Sequence, residues 1–199
     1  PRPASWSLAP LPPSLNAGEL KRFWSVFNRH TTVGRRDYAT ARCLADLGLR
    51  CQEVANLQLG DIDWRSAVVR LPDNKSRRTV QLPLPQLTGS ALADYLRHGR
   101  PAVSNRSVFV LHRAPVGQSA TITTVRGAIR RAFLRAGLMW SGTHILRHTA
   151  ADRMVQGGIP LKEVADVLGH RNMDTTLIYT KVDLPQLARV ALPWPGRQP

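Results

Sequence analysis

Apolar residues recur at helical intervals through most of the chain, and two short β-branched runs interrupt the pattern. Leu20, Phe23, Trp24 and Phe27 fall at spacings of three, four and seven, which predicts a helix over 18–30. Tyr38, Ala41, Leu44 and Ala45 form the apolar side of a helix over 35–47, with Gly48 as its stop. Leu49, Arg50 and a short helix, CQEVANL, come next. Residues 67–71 and 79–84 flank PDNKSRR, where Pro72, Asp73 and Asn74 are turn formers. This predicts a hairpin with Lys75, Arg77 and Arg78 at its tip.

Further on, a helix over 85–98 is expected to bury Leu87, Leu92, Tyr95 and Leu96, and 107–111 reads as a third small strand. The next helix, 121–136, turns Ile122, Val125, Ile129 and Phe133 inward and ends at Gly137. A helix over 143–156 stops at Gly157 and Gly158, and Pro160 opens another that reaches Leu168. The last helical stretch starts near Asp174 and carries Tyr179. The fold class is therefore mainly α with a small antiparallel β-sheet. Residues 1–17 hold five prolines without helical or strand period and read as a linker, which suggests that a longer protein precedes it. The end, 193–199, reads as a loose tail.

Charge narrows the function more than composition does. With 199 residues, 43% of them hydrophobic, the chain is long enough for one well-buried domain. Its formal charge of +15 points to a polyanionic partner, with nucleic acid the first choice. An anionic membrane surface fits less well, because neither a long apolar run nor a strongly apolar basic helix occurs. Cys43 and Cys51 are the only cysteines and read as reduced thiols of a cytoplasmic protein. Arg126, Arg130, Arg131 and Arg135 lie on or near the polar side of their helix with few acids close in sequence. They are candidates for DNA contact, as are Arg77 and Arg78 at the hairpin tip. A solvated face that maintains solubility is the alternative reading of each group.

The chemistry concentrates between Thr143 and Thr180. If Thr143 caps a helix, His144, Arg147 and His148 share one face at i, i+3 and i+4. Such a cluster suits a phosphate diester, whose non-bridging oxygens accept hydrogen bonds from guanidinium and imidazole. Arg50 and Glu53 stand three apart. Spacing alone leaves two readings open: a solvated ion pair, or a carboxylate that orients an arginine toward a site. His144 and His148 also have the spacing of a zinc-binding helix, with His170 as a third ligand, but Ile145 stands where the catalytic glutamate of such a helix belongs.

Gly48-Leu49-Arg50 with Glu53, the hairpin lysine, His144-x-x-Arg147-His148, Leu168-Gly169-His170 and Tyr179 resemble the boxes of the tyrosine recombinase (phage integrase) family. Order and spacing match over 18–190, including the nine-residue step from His170 to Tyr179. The resemblance implies a DNA breaking and rejoining domain over 18–192, without the amino-terminal core-binding domain that relatives carry. It implies Tyr179 as the nucleophile that forms a 3′-phosphotyrosyl bond, and Arg50 and Arg147 as holders of the phosphate oxygens. Lys75 would protonate the leaving 5′-oxygen. His144 would contact the phosphate or act as base near Tyr179, and His170 would donate to a phosphate oxygen. Glu53 and His148 would support these groups from behind.

In this family glycine usually precedes the hairpin lysine, whereas Asn74 stands here. The resemblance further implies no cofactor, no metal and no ATP. It implies a homotetramer on paired DNA sites, with a monomer as the state without DNA. Two rivals predict different products. A type IB topoisomerase relaxes DNA without a recombinant product, and a DNA-binding module forms no covalent one.

Overall fold

A computed structural model describes residues 13–72, 79–139 and 142–168. The hairpin tip and the stretch expected to be helical from Asp174 lie outside the described residues. Eleven short elements follow one another: α1 (Ala17–Ser25), α2 (Thr32–Asp46), α3 (Cys51–Asn56), a single 3-10 turn (Leu59–Asp61), β1 (Ile62–Asp63), β2 (Val68–Pro72), β3 (Thr79–Pro83), α4 (Gln86–His98), α5 (Ile122–Arg135), α6 (His144–Gln156) and α7 (Leu161–Leu168). The expected mainly helical class with a small antiparallel sheet is what is found. The chain divides into two compact units, and the division falls inside α6 between Ala150 and Ala151.

The larger unit is built around α2, whose Ala39, Ala41, Cys43, Leu44 and Ala45 are all buried. Small residues on that helix let its neighbours approach closely. Phe23 of α1 meets Phe133 of α5 with ring centroids 5.1 Å apart, and both are fully buried. Arg42 is buried as well, and its guanidinium lies 4.0 Å from the centre of the Trp24 ring. It donates to the Tyr38 hydroxyl at 2.8 Å and to Asp46 at 3.3 Å. Asp46 also accepts from the Thr88 hydroxyl at 2.8 Å, which fastens α2 to α4. A buried cation is tolerable because its donors and its ring face are satisfied together. Burial of the Cys43 thiol holds its pKa far above the ordinary value, so it stays neutral.

The three strands run in the order β1-β2-β3, all antiparallel, with Val69 opposite both Ile62 and Leu82. Those three side chains are buried and form the inward face of the sheet. The third strand is β1, whereas 107–111 forms only isolated bridges, Gln58 with Ser107 and Val110 with Ser119. Val108, Phe109 and Val110 are fully buried in succession. That run is core connection, not ladder.

Three other expectations need correction. Leu87 is 60% exposed and Thr88 is buried in its place. The phase of α4 is set by Thr88, Leu92 and Tyr95, and Leu87 lies roughly 140° round the helix from Leu92. Ile122 is 41% exposed because it is the first residue of α5, beyond the core that covers Val125, Ile129 and Phe133. The packed unit also begins before the expected end of the linker. Leu15 is buried and its amide donates to Thr149 Oγ1 at 2.9 Å, while Asn16 caps α1 in a reciprocal pair with Glu19.

In the smaller unit, Ala151, Val155, Val164 and Leu168 form a buried cluster against which Met154 packs. Positive φ at Gly158 provides the turn between α6 and α7, where glycine was expected as a stop. No helix among the described residues is long and apolar enough to cross a membrane.

Two outcomes test this architecture. A Cβ at Gly34 would lie 1.8 Å from the Asn28 carbonyl oxygen, so Gly34→Ala should cost more than about 2 kcal/mol in urea unfolding. His112 sits 3.3 Å from the Tyr95 hydroxyl, and its pKa is lowered, first by burial and then by Arg36. The unfolded chain therefore takes up this proton more readily than the folded one. Its contribution is intact above the ordinary histidine value of about 6.5 and is lost as pH falls through the folded pKa. Denaturation at pH 5 and pH 7 should show a smaller acid loss in His112→Asn than in the parent.

Candidate functional site

Two segments far apart in sequence form the site. The first is the turn between α2 and α3. At Gly48 the backbone has φ of 64°, a left-handed conformation that glycine adopts without strain. The amide of Leu49 returns to the Cys43 carbonyl at 3.3 Å, which closes the end of α2. Arg50 then precedes α3 with extended backbone angles.

Glu53 holds Arg50 at two points. One carboxylate oxygen accepts from the Arg50 backbone amide at 2.7 Å, and the other from its guanidinium at 2.9 Å. A solvated ion pair would hold only the side chain; this carboxylate grips both ends of the residue. The Arg50 side chain is 45% exposed, and Glu53 orients its guanidinium.

The second segment is the start of α6. His144 is exposed, Arg147 is buried and His148 is half-buried. Arg147 Nη1 donates to the Gly48 carbonyl at 2.5 Å. The bond joins the two arginine-bearing segments across 99 positions of sequence. A second link lies beside it. Cys51 Sγ donates to Thr143 Oγ1 at 3.0 Å, connecting the residue after Arg50 to the residue before His144. Thr149 completes the support by donating to the Ile145 carbonyl at 2.7 Å.

Electrostatics agree with this grouping. The pKa of His148 is lowered, first by burial, then by His144 and by Arg147. A lowered pKa favours neutral imidazole, which can donate one hydrogen bond and accept another. Arg50, His144 and Arg147 are side chains of the type that donates hydrogen bonds to oxyanions.

Of the residues expected in the site, the structure brings together Arg50, Glu53, Arg147, His144 and His148. Lys75, Arg77, Arg78, His170 and Tyr179 lie outside the described residues. Arg126, Arg130 and Arg131 are exposed on α5. Arg131 is not as isolated from acids as its sequence neighbourhood implied, because it reaches Asp37 at 3.4 Å. Sequence spacing missed two participants, the Gly48 carbonyl and the Cys51–Thr143 pair. A glycine stop followed directly by arginine was the available signal for the former; no pattern in sequence signals the latter.

Comparison with known proteins places this geometry in a family. The model of the phage integrase family matches residues 13–184. Protein y4rA of Sinorhizobium fredii (strain NBRC 101917 / NGR234), an integrase/recombinase by name, is 42% identical over 195 residues, covering 97% of this chain and 47% of that protein. Another integrase/recombinase of that strain, y4gC, is 36% identical over 171 residues, covering 84% of this chain and 88% of the relative. The tyrosine recombinase XerC of Bifidobacterium longum (strain DJO10A) is 30% identical over 167 residues, covering 80% of this chain and 47% of XerC. The chain thus spans about half the length of y4rA and of XerC.

Among solved structures, XerH recombinase bound to palindromic difH substrate in a post-cleavage complex superposes with a TM-score of 0.75 at 26% identity, over 93% of this chain and 54% of that one. XerA recombinase shares the fold with the same TM-score at 24% identity, over 93% of this chain and 68% of that one. The family model covers the turn at Gly48, both arginines and the segment through Tyr179, and on this ground the chain belongs to the phage integrase family of tyrosine recombinases.

Proposed function

We propose that this chain carries the catalytic domain of a site-specific DNA recombinase, which cuts and rejoins double-stranded DNA through Tyr179. The observation that carries the reading is the bond between Arg147 and Gly48, which brings a buried arginine to the turn that presents Arg50. Two guanidinium groups so arranged suit the two non-bridging oxygens of one phosphodiester.

In the proposed reaction the Tyr179 hydroxyl oxygen attacks phosphorus and the bond to the 5′-oxygen breaks. The products are a 3′-phosphotyrosyl linkage and a free 5′-hydroxyl. A tyrosine hydroxyl titrates near pKa ~10, so attack at neutral pH needs a proton acceptor or a strongly cationic surrounding. His144, exposed at the head of α6, is the candidate acceptor or phosphate donor, and His170 a further donor. Lys75 gives a proton to the departing 5′-oxygen, a task to which arginine is unsuited because its pKa exceeds about 12. Arg50 and Arg147 balance the charge that builds on the pentacoordinate phosphorus.

Rejoining reverses these steps with the 5′-hydroxyl of a second strand. The linkage conserves the energy of the original ester, so the reaction needs neither metal nor ATP. Arg126, Arg130 and Arg131, with Arg77 and Arg78, would neutralise backbone phosphates beside the cut. A homotetramer on paired sites is the assembly that strand exchange requires, with a monomer in the absence of DNA. The reading places the protein in the cytoplasm, with the catalytic domain starting at Leu15 and reaching 192, and 193–199 as a tail.

A nicked suicide duplex carrying the end sequences of the encoding element tests the reading in EDTA. Denaturing electrophoresis should show a covalent adduct, and peptide mapping should locate it at Tyr179. Tyr179→Phe should abolish the adduct and leave DNA affinity within about twofold; an adduct that survives removes Tyr179 as nucleophile. Lys75→Ala should slow cleavage of ordinary DNA, and a 5′-bridging sulfur, whose departure needs no proton, should restore it. Glu53→Gln should lower the single-turnover cleavage rate by roughly tenfold through loss of Arg50 orientation.

A further inference from the structure

We propose that Cys51 and Thr143 are positioning residues that hold the Arg50 and His144 segments in fixed relation through their thiol–hydroxyl hydrogen bond. The inference rests on the recombinase reading above and adds two residues to it. Its basis is geometric. Arg147 Nη1 joins α6 to the Gly48 carbonyl at 2.5 Å. The bond from Cys51 Sγ to Thr143 Oγ1, at 3.0 Å, supplies a second point of attachment.

The two points are separated on both segments, Gly48 from Cys51 on one and Thr143 from Arg147 on the other. Two separated ties resist rotation of one segment against the other more than either does alone. They bracket Arg50 and His144, the exposed members of the cluster. Catalytic groups must keep their geometry to within about 0.5 Å, so a slight rotation here would slow chemistry more than it would weaken binding.

The chemistry of the pair supports a steering role. Thr143 is buried, and the Cys51 thiol reaches its hydroxyl from a partly buried position. A thiol is a weak donor, which gives a tie that orients the segments while contributing little to overall stability. Neither side chain needs to touch DNA to act in this way. Both act through the backbone positions of their neighbours.

The test uses the full chain on the suicide duplex, with cleavage rate and DNA affinity measured separately. Cys51→Ala and Thr143→Val should each lower the single-turnover rate by about tenfold and leave the dissociation constant within about twofold. The double variant should be no slower than the singles, since both remove one bond. Cys51→Ser, which retains a donor, should recover to within about threefold of the parent.

Rates unchanged in both truncations, losses that multiply in the double variant, or a loss confined to affinity would each overturn the inference and leave the recombinase reading standing. If the truncations fail to fold, Cys51→Ser and Thr143→Ser decide, because each keeps its hydrogen-bonding group and must cleave at near the parental rate. A slow Cys51→Ser or Thr143→Ser overturns the inference. Absence of adduct from the parent chain defeats the recombinase reading and this inference together.

Discussion

The hydrogen bond from Arg147 to the Gly48 carbonyl is the constraint on which the site depends. A guanidinium that is only 6% exposed carries a large desolvation cost unless its donors meet acceptors. A backbone carbonyl is a well-placed acceptor because the chain itself fixes its direction. Gly48 can aim that carbonyl at α6 because its φ of 64° turns the backbone where a side chain would introduce strain. The glycine ending α2 and the arginine inside α6 are therefore parts of one device. Burial of Leu47 and Leu49 on either side of Gly48 anchors the turn in the core.

The two arginines differ in how they are held, and the difference suits separate tasks. Arg147 is buried and bonded to backbone, so its position follows that of the core. Arg50 remains 45% exposed and is steered by a carboxylate that also binds its own amide. The first is set by the core; the second is set by Glu53. His148, kept toward its neutral form by burial and by adjacent cations, limits the repulsion within so positive a cluster.

Much of this was legible in the sequence, and the reason is periodicity. Tyr38, Ala41, Leu44 and Ala45 marked α2, and Val125, Ile129 and Phe133 marked α5, because each set shares one helical face. The HxxRH spacing likewise put His144, Arg147 and His148 on one helix. Spacing failed where partners lie far apart in sequence. Thr88 displaced Leu87 from the core because Asp46, 42 positions earlier, supplies its hydroxyl with an acceptor. Ser107 to Leu111 read as a strand from its apolar run, yet its backbone pairs with other segments only at isolated bridges. The Cys51–Thr143 bond spans 92 positions and leaves no periodic trace at all. Lys75, His170 and Tyr179 stand on motif order, the level at which the sequence speaks most directly about them.

Charge shows how fold and function share the same residues. Asp37, Asp46, Asp63 and Asp94 are each paired with arginine among the described residues. Asp37 takes two, accepting from buried Arg36 at 2.7 Å and from exposed Arg131 at 3.4 Å. Arg35–Asp94 joins α2 to α4 and Arg131–Asp37 joins α5 to α2, Arg36–Asp37 and Arg42–Asp46 lie within α2, and Arg70–Asp63 ties β2 to β1. Arg126 and Arg130 make no ion pair among the described residues and keep their full field toward solvent. Arg131 is anchored at one end by Asp37, which reduces its field and its freedom together. The net charge of +15 is therefore unevenly available. Where acids face arginine, as at Arg36, Arg42 and Arg131, its charge is balanced locally; at Arg126 and Arg130, among the described residues, it is not.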